Sequence, residues 1–443
     1  MDLLIAFFLF IAAILFSLIQ GIRVDFAMVF GLLLFSMVAR HRGYRLPQIA
    51  KNALVSLKSM GPVLLIMVLI GFLTASWRMA GTVTAFIFYG SSLIRPNFFI
   101  LLVFLLSSLL SYTIGTSFGS AATIGVIFMA FARSGGVNPV ITAGAVLSGV
   151  YFGDRCSPVS SSANLIAELT DTNIYENVKR MHWSGAPVFL LVAGIYAFLS
   201  FRNPLERIDT ALIDQIRTSF RPSMWMLLPA LLMLILPLCK VAVHYAMLAS
   251  TLTACLLAAV MRSVDMKTIA GALLFGFQAP EGELRELISG GGLIDMAEVI
   301  LLLFVCGSYS GIFQCGHMLD GLQKRLTRYA GTWGRFPVTL LAGTAASCLF
   351  CNQTLAILMT KDFMAPAYQA EGTKEELALD MYNSVSLIGC FIPWTIGALI
   401  PLSFMKVSPR AFGYAFLMYI LPLFWLCAKR WYPEKVRKGT GGV

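Results

Sequence analysis

The densest group of polar side chains in an otherwise apolar sequence lies in YFGDRCSPVSSSAN (Tyr151–Asn164). Asp154, Ser157, Ser161, Asn164 and Glu168 fall at steps of three or four, so a continuous helix would gather them into one polar stripe. Pro158 has no backbone N–H, which frees a carbonyl inside that stripe. Hydroxyls, an amide oxygen, a carboxylate and free carbonyls are hard oxygen ligands of the kind a small cation takes. Asp154, Ser157, Ser161 and Asn164 are therefore the expected ligands of a Na⁺ ion, with Ser160 beside them. The bland alternative is a turn whose polar groups satisfy one another. Polar groups inside hydrocarbon are costly, and that cost favours function.

A second cluster, Thr113, Thr116, Ser117 and Ser120, is interleaved with Gly115 and Gly119. Small residues with two glycines let a helix unwind and bring backbone close to a ligand, although they also suit tight helix packing. Further along the chain, Asn352, Gln353, Thr354, Asn383 and Ser384 are the corresponding candidates, with Pro393 and Trp394 marking an interruption. Arg78 stands between two uncharged runs, placed either to meet an anion in a cavity or to snorkel to an interface. Asp320, Asp362 and Asp380 lie near expected span ends, where solvation is expected. Cys348 and Cys351 form a C-x-x-C without a second pair or a nearby histidine, so packing is the better reading than zinc or redox chemistry. Cys315 and His317 are equally bland. No G-x-x-x-x-G-K-[ST] or H-E-x-x-H occurs, so neither ATP-driven pumping nor zinc-dependent hydrolysis is supported, and neither an enzyme activity nor a resident cofactor is expected.

The elements that must position these residues are transmembrane helices. With 58% hydrophobic and only 12% charged residues, the chain lacks the charge to cover a soluble surface. Uncharged runs such as Leu3–Ile22, Gly185–Phe201, Val241–Met261, Phe336–Thr360 and Ala411–Ala428 have the length of a helix crossing roughly 30 Å of hydrocarbon. They are apolar throughout, without the alternation of barrel strands. The first run has no basic leader and is read as a retained helix, not a signal peptide. The net charge of +11 sits in short loops, where it sets orientation in the membrane and does not point to nucleic acid. Basic clusters at Arg40–Lys58, Arg202–Arg221, Lys324–Arg335 and Lys429–Lys438 place both termini in the cytoplasm. The expected fold is an all-α polytopic membrane protein of about a dozen spans. Its expected divisions are N-terminal helices at 1–58, a first repeat at 59–201, a cytoplasmic linker at 202–221, connecting helices at 222–286, a second repeat at 287–428 and a basic tail at 429–443.

The two halves echo each other. GFLTASWRMAGTVTAFIF (Gly71–Phe88), SYTIGTSFGSAATIGVIF (Ser111–Phe128) and the polar insertion at Tyr151–Asn164 are answered in order by Phe304–Leu322, Ser347–Phe363 and Met381–Leu399. Lys58 precedes the first member in one half, whereas Lys324 and Arg325 follow it in the other. Basic flanks on opposite ends mean opposite directions of travel. That is the plan of an inverted repeat with discontinuous helices and re-entrant segments, whose substrate site lies near the midplane.

At these residues the chain resembles the NhaC-type Na⁺/H⁺ antiporter family. Gly115–Leu165 is similar to the family's G-T-S-W-G-T…T-I-G…G-A-Y-F-G-D-K-x-S-P-L-S-D-T-T-N-L signature. Thr74–Val83 resembles its G-x-W-x-x-x-G-T-V segment, and Ile392–Trp394 its I-P-W. The resemblance covers roughly residues 60–430 and implies a secondary transporter exchanging a cation against protons. Two departures bear on substrate. The family's S-D-T-T-N is Ser160, Ser161, Ser162, Ala163, Asn164 here, and a Glu-Asp pair before I-P-W is Tyr382 and Asn383. Arg78 also stands where the resemblance implies an uncharged residue.

Inner-membrane Na⁺/H⁺ exchange is thus the default expectation. The alternative is sodium- or proton-coupled transport of a small organic acid or amino acid, favoured by the loss of two acids and the gain of an arginine. A scaffold that has lost transport gains nothing from burying a polar stripe. Expected partners are a small ion or molecule, the bilayer and, as an open option, a second copy of the chain in a homodimer.

Overall fold

The computed structural model describes residues 2–20, 24–58, 61–90, 96–158, 160–205, 210–239, 241–279, 289–313, 320–350 and 352–432. Within them the regular structure is helical, apart from an isolated bridge between Phe277 and Gly290. Among the described residues Ser117–Ser134, Ile174–Arg202 and His244–Arg262 are each long and apolar enough to cross a bilayer alone. Their outward faces are apolar, as lipid requires: Leu190, Leu191 and Phe198 on one helix and Leu252, Leu256 and Val260 on another are exposed. The first apolar run forms the helix Asp2–Gln20.

The helices nearest the polar clusters are broken, and the residue types explain where. Phe99–Ile114 stops at Gly115, which takes the left-handed φ of 74° that a side chain resists. Thr116 then adopts an extended conformation and caps Ser117–Ser120, its hydroxyl accepting from the Gly119 N–H. A π-turn at Ala121–Gly125 interrupts the continuing helix. Pro139–Cys156 ends one residue before Ser157-Pro158, because a residue preceding proline avoids helical geometry. Ser160 then caps a new helix, Ser161–Leu169.

The second half is broken as well. Arg335–Phe350 is followed by the Asn352 cap of Gln353–Glu371. Lys374–Tyr382 gives way to a single turn at Val385–Ile388 and irregular chain through Pro393, and Thr395 caps Ile396–Met405.

Close packing holds the first break in place. Gly149 and Gly153 lie one turn apart and press against Phe99–Ile114. A Cβ on Gly153 would stand 2.4 Å from the Ser108 carbonyl oxygen, and one on Gly149 would stand 2.7 Å from that of Phe104. This is the small-xxx-small contact of membrane helices. Ser111 secures it by donating to the Val150 carbonyl at 2.5 Å.

Within the segment 202–221, Thr210–Phe220 is helical and buries Ile216 and Phe220, since its apolar stripe finds a partner in the bundle. Asp380, expected to be solvated, lies instead on the helix Lys374–Tyr382 with both it and Glu376 buried. The tail is not simply solvated, since Lys429 turns inward onto those acids at 2.7 and 2.5 Å. Cys315, His317 and Cys351 lie outside the described residues, and Cys348 is buried.

Candidate functional site

Asp154 is in the last turn of Pro139–Cys156 and is buried. Its Oδ1 accepts from the Ser160 hydroxyl at 2.7 Å, across the break. Ser117, at the N-terminus of the neighbouring broken helix, lies near the same carboxylate. Among the described residues no basic side chain pairs with Asp154. The second half closes the group. Tyr151, one turn before Asp154, donates to the carbonyl of Gly397 at the start of Ile396–Met405, and the Cys390 thiol lies against the Tyr151 hydroxyl. One carboxylate and several hydroxyls thus meet where broken helices from both halves converge.

The expected stripe does not form. Because the chain breaks between Cys156 and Ser161, Ser161, Asn164 and Glu168 belong to a separate helix and lie on its exposed face. Of the four expected Na⁺ ligands, only Asp154 and Ser157 are buried, and Ser160 takes the place expected of Ser161. The Pro158 carbonyl is occupied as well, accepting from Asn164 Nδ2 at 2.9 Å.

In the first cluster, Ser117 and Ser120 are buried and Ser120 donates to the Thr116 carbonyl at 2.8 Å, while Thr113 is exposed and bonds to its own helix. In the second half, Asn352 acts as a helix cap and Thr354 is exposed. Gln353 Nε2 donates to the Ser386 carbonyl at 3.0 Å, which ties two of the second half's elements together. Ser384 donates to the Asp380 carbonyl at 2.6 Å. Asn383 and Ser384 are both buried.

Arg155 was not expected in the site. It is buried beside Asp154, and its guanidinium lies between Ile174–Arg202 and the second half. Its Nε donates to the Tyr382 carbonyl at 3.1 Å, and Nη1 to the Met181 carbonyl at 3.3 Å and to Cys156 Sγ. Nη2 donates to the Ser184 hydroxyl at 3.1 Å and to Asn383 Oδ1. Every one of these partners is neutral, and the Asn383 Nδ2 has no acceptor. The signal was available in the sequence: an arginine followed by a proline turn and then by an apolar run is placed too deep to snorkel freely.

Asp380 is fully buried, not solvated. It accepts from Tyr368 at 2.6 Å, Trp425 Nε1 at 2.9 Å and Lys429 at 2.5 Å. Glu376 shares Lys429 and also accepts from Arg335 Nη2 at 3.1 Å. Asp380 is therefore locked among donors, unlike Asp154. Arg78 is buried in the last turn of Gly61–Ala80, donating from Nη1 to the Thr74 carbonyl at 2.9 Å.

Apolar helices with capped breaks around a buried carboxylate are the architecture of a membrane secondary transporter. The family model described as the Na⁺/H⁺ antiporter family matches residues 149–427, which include Asp154 and Ser160. The chain belongs to this family, and is a multi-pass membrane antiporter, not an enzyme. It is 27% identical to an uncharacterized Na⁺/H⁺ antiporter of Haemophilus influenzae over 75% of this chain and 74% of that one. It is 28% identical to the Na⁺/H⁺ antiporter NhaC of Alkalihalophilus pseudofirmus over 81% of this chain and 79% of its relative. A malate-2H⁺/Na⁺-lactate antiporter of Bacillus subtilis is 24% identical, covering 96% and 91% of the two chains.

Proposed function

We propose that this antiporter exchanges Na⁺ for H⁺ through Asp154, with Ser117 and Ser160 supplying hydroxyl oxygens to the ion. One observation carries the reading: Asp154 is a buried carboxylate with hydroxyl partners and no basic partner among the described residues, whereas the buried acids Glu376 and Asp380 are held by Lys429 and Arg335. A carboxylate in a water-poor site needs its charge neutralised, and a proton or a cation can each do so. Binding one displaces the other, which is the chemistry of exchange. The test is a proteoliposome with an internal pH dye, challenged with Na⁺, Li⁺ and K⁺. A Na⁺-driven pH change that Asp154→Asn abolishes supports the reading, and absence of any cation response from the unaltered protein overturns it.

A second reading, exchange of a small organic acid or amino acid, is favoured by Arg155. This buried guanidinium faces Asn383 where the family resemblance implies an acid, and the relative named for malate and lactate aligns over nearly the whole chain. Counterflow of labelled lactate, malate and amino acids distinguishes it, since substrate-stimulated efflux without a cation-driven pH change would favour this reading over the first. Broken helices in both halves further support two opposed repeats with both termini in the cytoplasm. Protease-accessible tags at each terminus on inside-out vesicles check that orientation.

A further inference from the structure

Ile396–Met405 belongs to the second half, yet donors from the first half hold it at both ends. Where the helix stops, its last carbonyls have no partner of their own, and Arg133 Nη2 donates to those of Met405 and Lys406 at 2.7 and 3.1 Å. Where it starts, the Tyr151 hydroxyl donates to the carbonyl of Gly397.

The contact at the start has a cause inside the helix. In a regular α-helix the Gly397 carbonyl would accept from the N–H four residues on. That residue is Pro401, which has no N–H and whose ring crowds the same carbonyl. One buried acceptor is thus left free, and Tyr151, 1% exposed, supplies its donor from the other half. Gly397 itself admits no side chain, since a Cβ there would stand 2.9 Å from Cys390 Sγ. Tyr151 is one turn before Asp154 on Pro139–Cys156, and Ser117 lies near both the Tyr151 hydroxyl and the Asp154 carboxylate. The bond therefore fastens the turn that carries the carboxylate to a helix of the second half.

We propose that Tyr151 is a positioning residue of the exchange: held by the carbonyl that Pro401 frees, it fixes Asp154 relative to Ser117 and the second half. This rests on Asp154 being the exchanging carboxylate.

Tyr151 and Pro401 act on one carbonyl, so substitutions at the two should not add. Tyr151→Phe removes only the hydroxyl, and Pro401→Ala gives the Gly397 carbonyl an N–H within its own helix. In nanodisc thermal unfolding, Tyr151→Phe should lower the melting temperature, and adding Pro401→Ala should recover at least half of the drop. Position is read separately. In the proteoliposome assay, Tyr151→Phe should need at least fivefold more Na⁺ for half-saturation, with the maximal rate changed less than twofold. The double variant should keep that weakened affinity although its stability is recovered. Labelling of Asp154 by dicyclohexylcarbodiimide, followed by mass spectrometry, should be at least threefold faster in both proteins that lack the hydroxyl, and it needs no exchange activity. Should Tyr151→Phe alone fail to fold, the double variant carries both comparisons. Additive melting-temperature changes, unchanged Asp154 labelling, an unchanged half-saturation, or Na⁺ affinity that returns with stability overturns the positioning role. No cation response from the unaltered protein would instead sink the Asp154 reading, and labelling would still decide whether Tyr151 positions that carboxylate.

Discussion

At the scale of single residues, Asp154 and Arg155 are neighbours with opposite situations. Asp154 has hydroxyl partners at a meeting of chain breaks, and Arg155 is packed against neutral oxygens of both halves. Ser160 serves Asp154 twice over, donating to its carboxylate and accepting from the Ala163 N–H as a helix cap. Ser160→Ala should therefore cost about 1 kcal/mol through the lost cap. It should also shift the pH dependence of exchange, measured by the proteoliposome dye, because the carboxylate loses a donor that favours its charged form. Arg155 suggests the converse experiment. Asn383→Asp would replace the unpartnered Nδ2 with an oxygen and give the buried cation a charged partner. Its expected outcome is a melting temperature several degrees higher in nanodisc thermal unfolding, on the order of 1–2 kcal/mol of added stability. A lower melting temperature would show that Arg155 is already satisfied by its neutral shell.

At the scale of elements, the first break works only if Pro139–Cys156 lies against Phe99–Ile114 at backbone distance. Gly153→Val would drive a side chain into the Ser108 carbonyl and the Tyr112 N–H. Overpacking of this kind costs about 1–3 kcal/mol or more, so the variant should show reduced yield of monodisperse protein by size exclusion. The loop after Ser161–Leu169 is fastened to the second half by Asp171, whose carboxylate meets Lys374 at 2.7 Å. The hydrogen bond from Lys374, with its positive charge, holds the Asp171 carboxyl below the usual carboxylate range. A depressed folded value stabilises above the unfolded carboxylate range, and that stabilisation fades as the pH falls through the folded value. The pair is fully exposed, so the effect is small. Asp171→Asn tolerates the left-handed φ of 50° and should lower the melting temperature slightly at neutral pH, the difference closing toward acid pH.

At the scale of the whole molecule, the end of the C-terminal helix Phe416–Ala428 is tied to Arg335–Phe350 and Lys374–Tyr382 by a four-charge network of Arg335, Glu376, Asp380 and Lys429. Two cations and two acids balance, so the network is neutral and can be buried. Lys429→Met leaves both acids short of charge and should destabilise by about 3–5 kcal/mol. Adding Asp380→Asn should recover part of that loss, which a double-mutant thermal-unfolding cycle would measure. Full additivity of the two changes would mean that the residues do not act as one unit.

The apolar runs and sparse charge by themselves determined a helical membrane protein, because hydrocarbon leaves few other ways to satisfy a backbone. Local chemistry also set where helices break: Gly115 permits the left-handed turn, Pro158 stops the helix before it, and Thr116, Ser160, Asn352 and Thr395 each cap a new helix. Helical spacing alone could not show which polar residues meet. It counts steps along one uninterrupted helix, and the break before Ser161 turns Ser161 and Asn164 outward while bringing Ser160 onto Asp154. The pairing of Arg155 with Asn383 and the inward turn of Lys429 onto Asp380 span 228 and 49 positions. Only the packing of the two halves decided them, since a buried charge takes whatever partner the folded bundle places within reach.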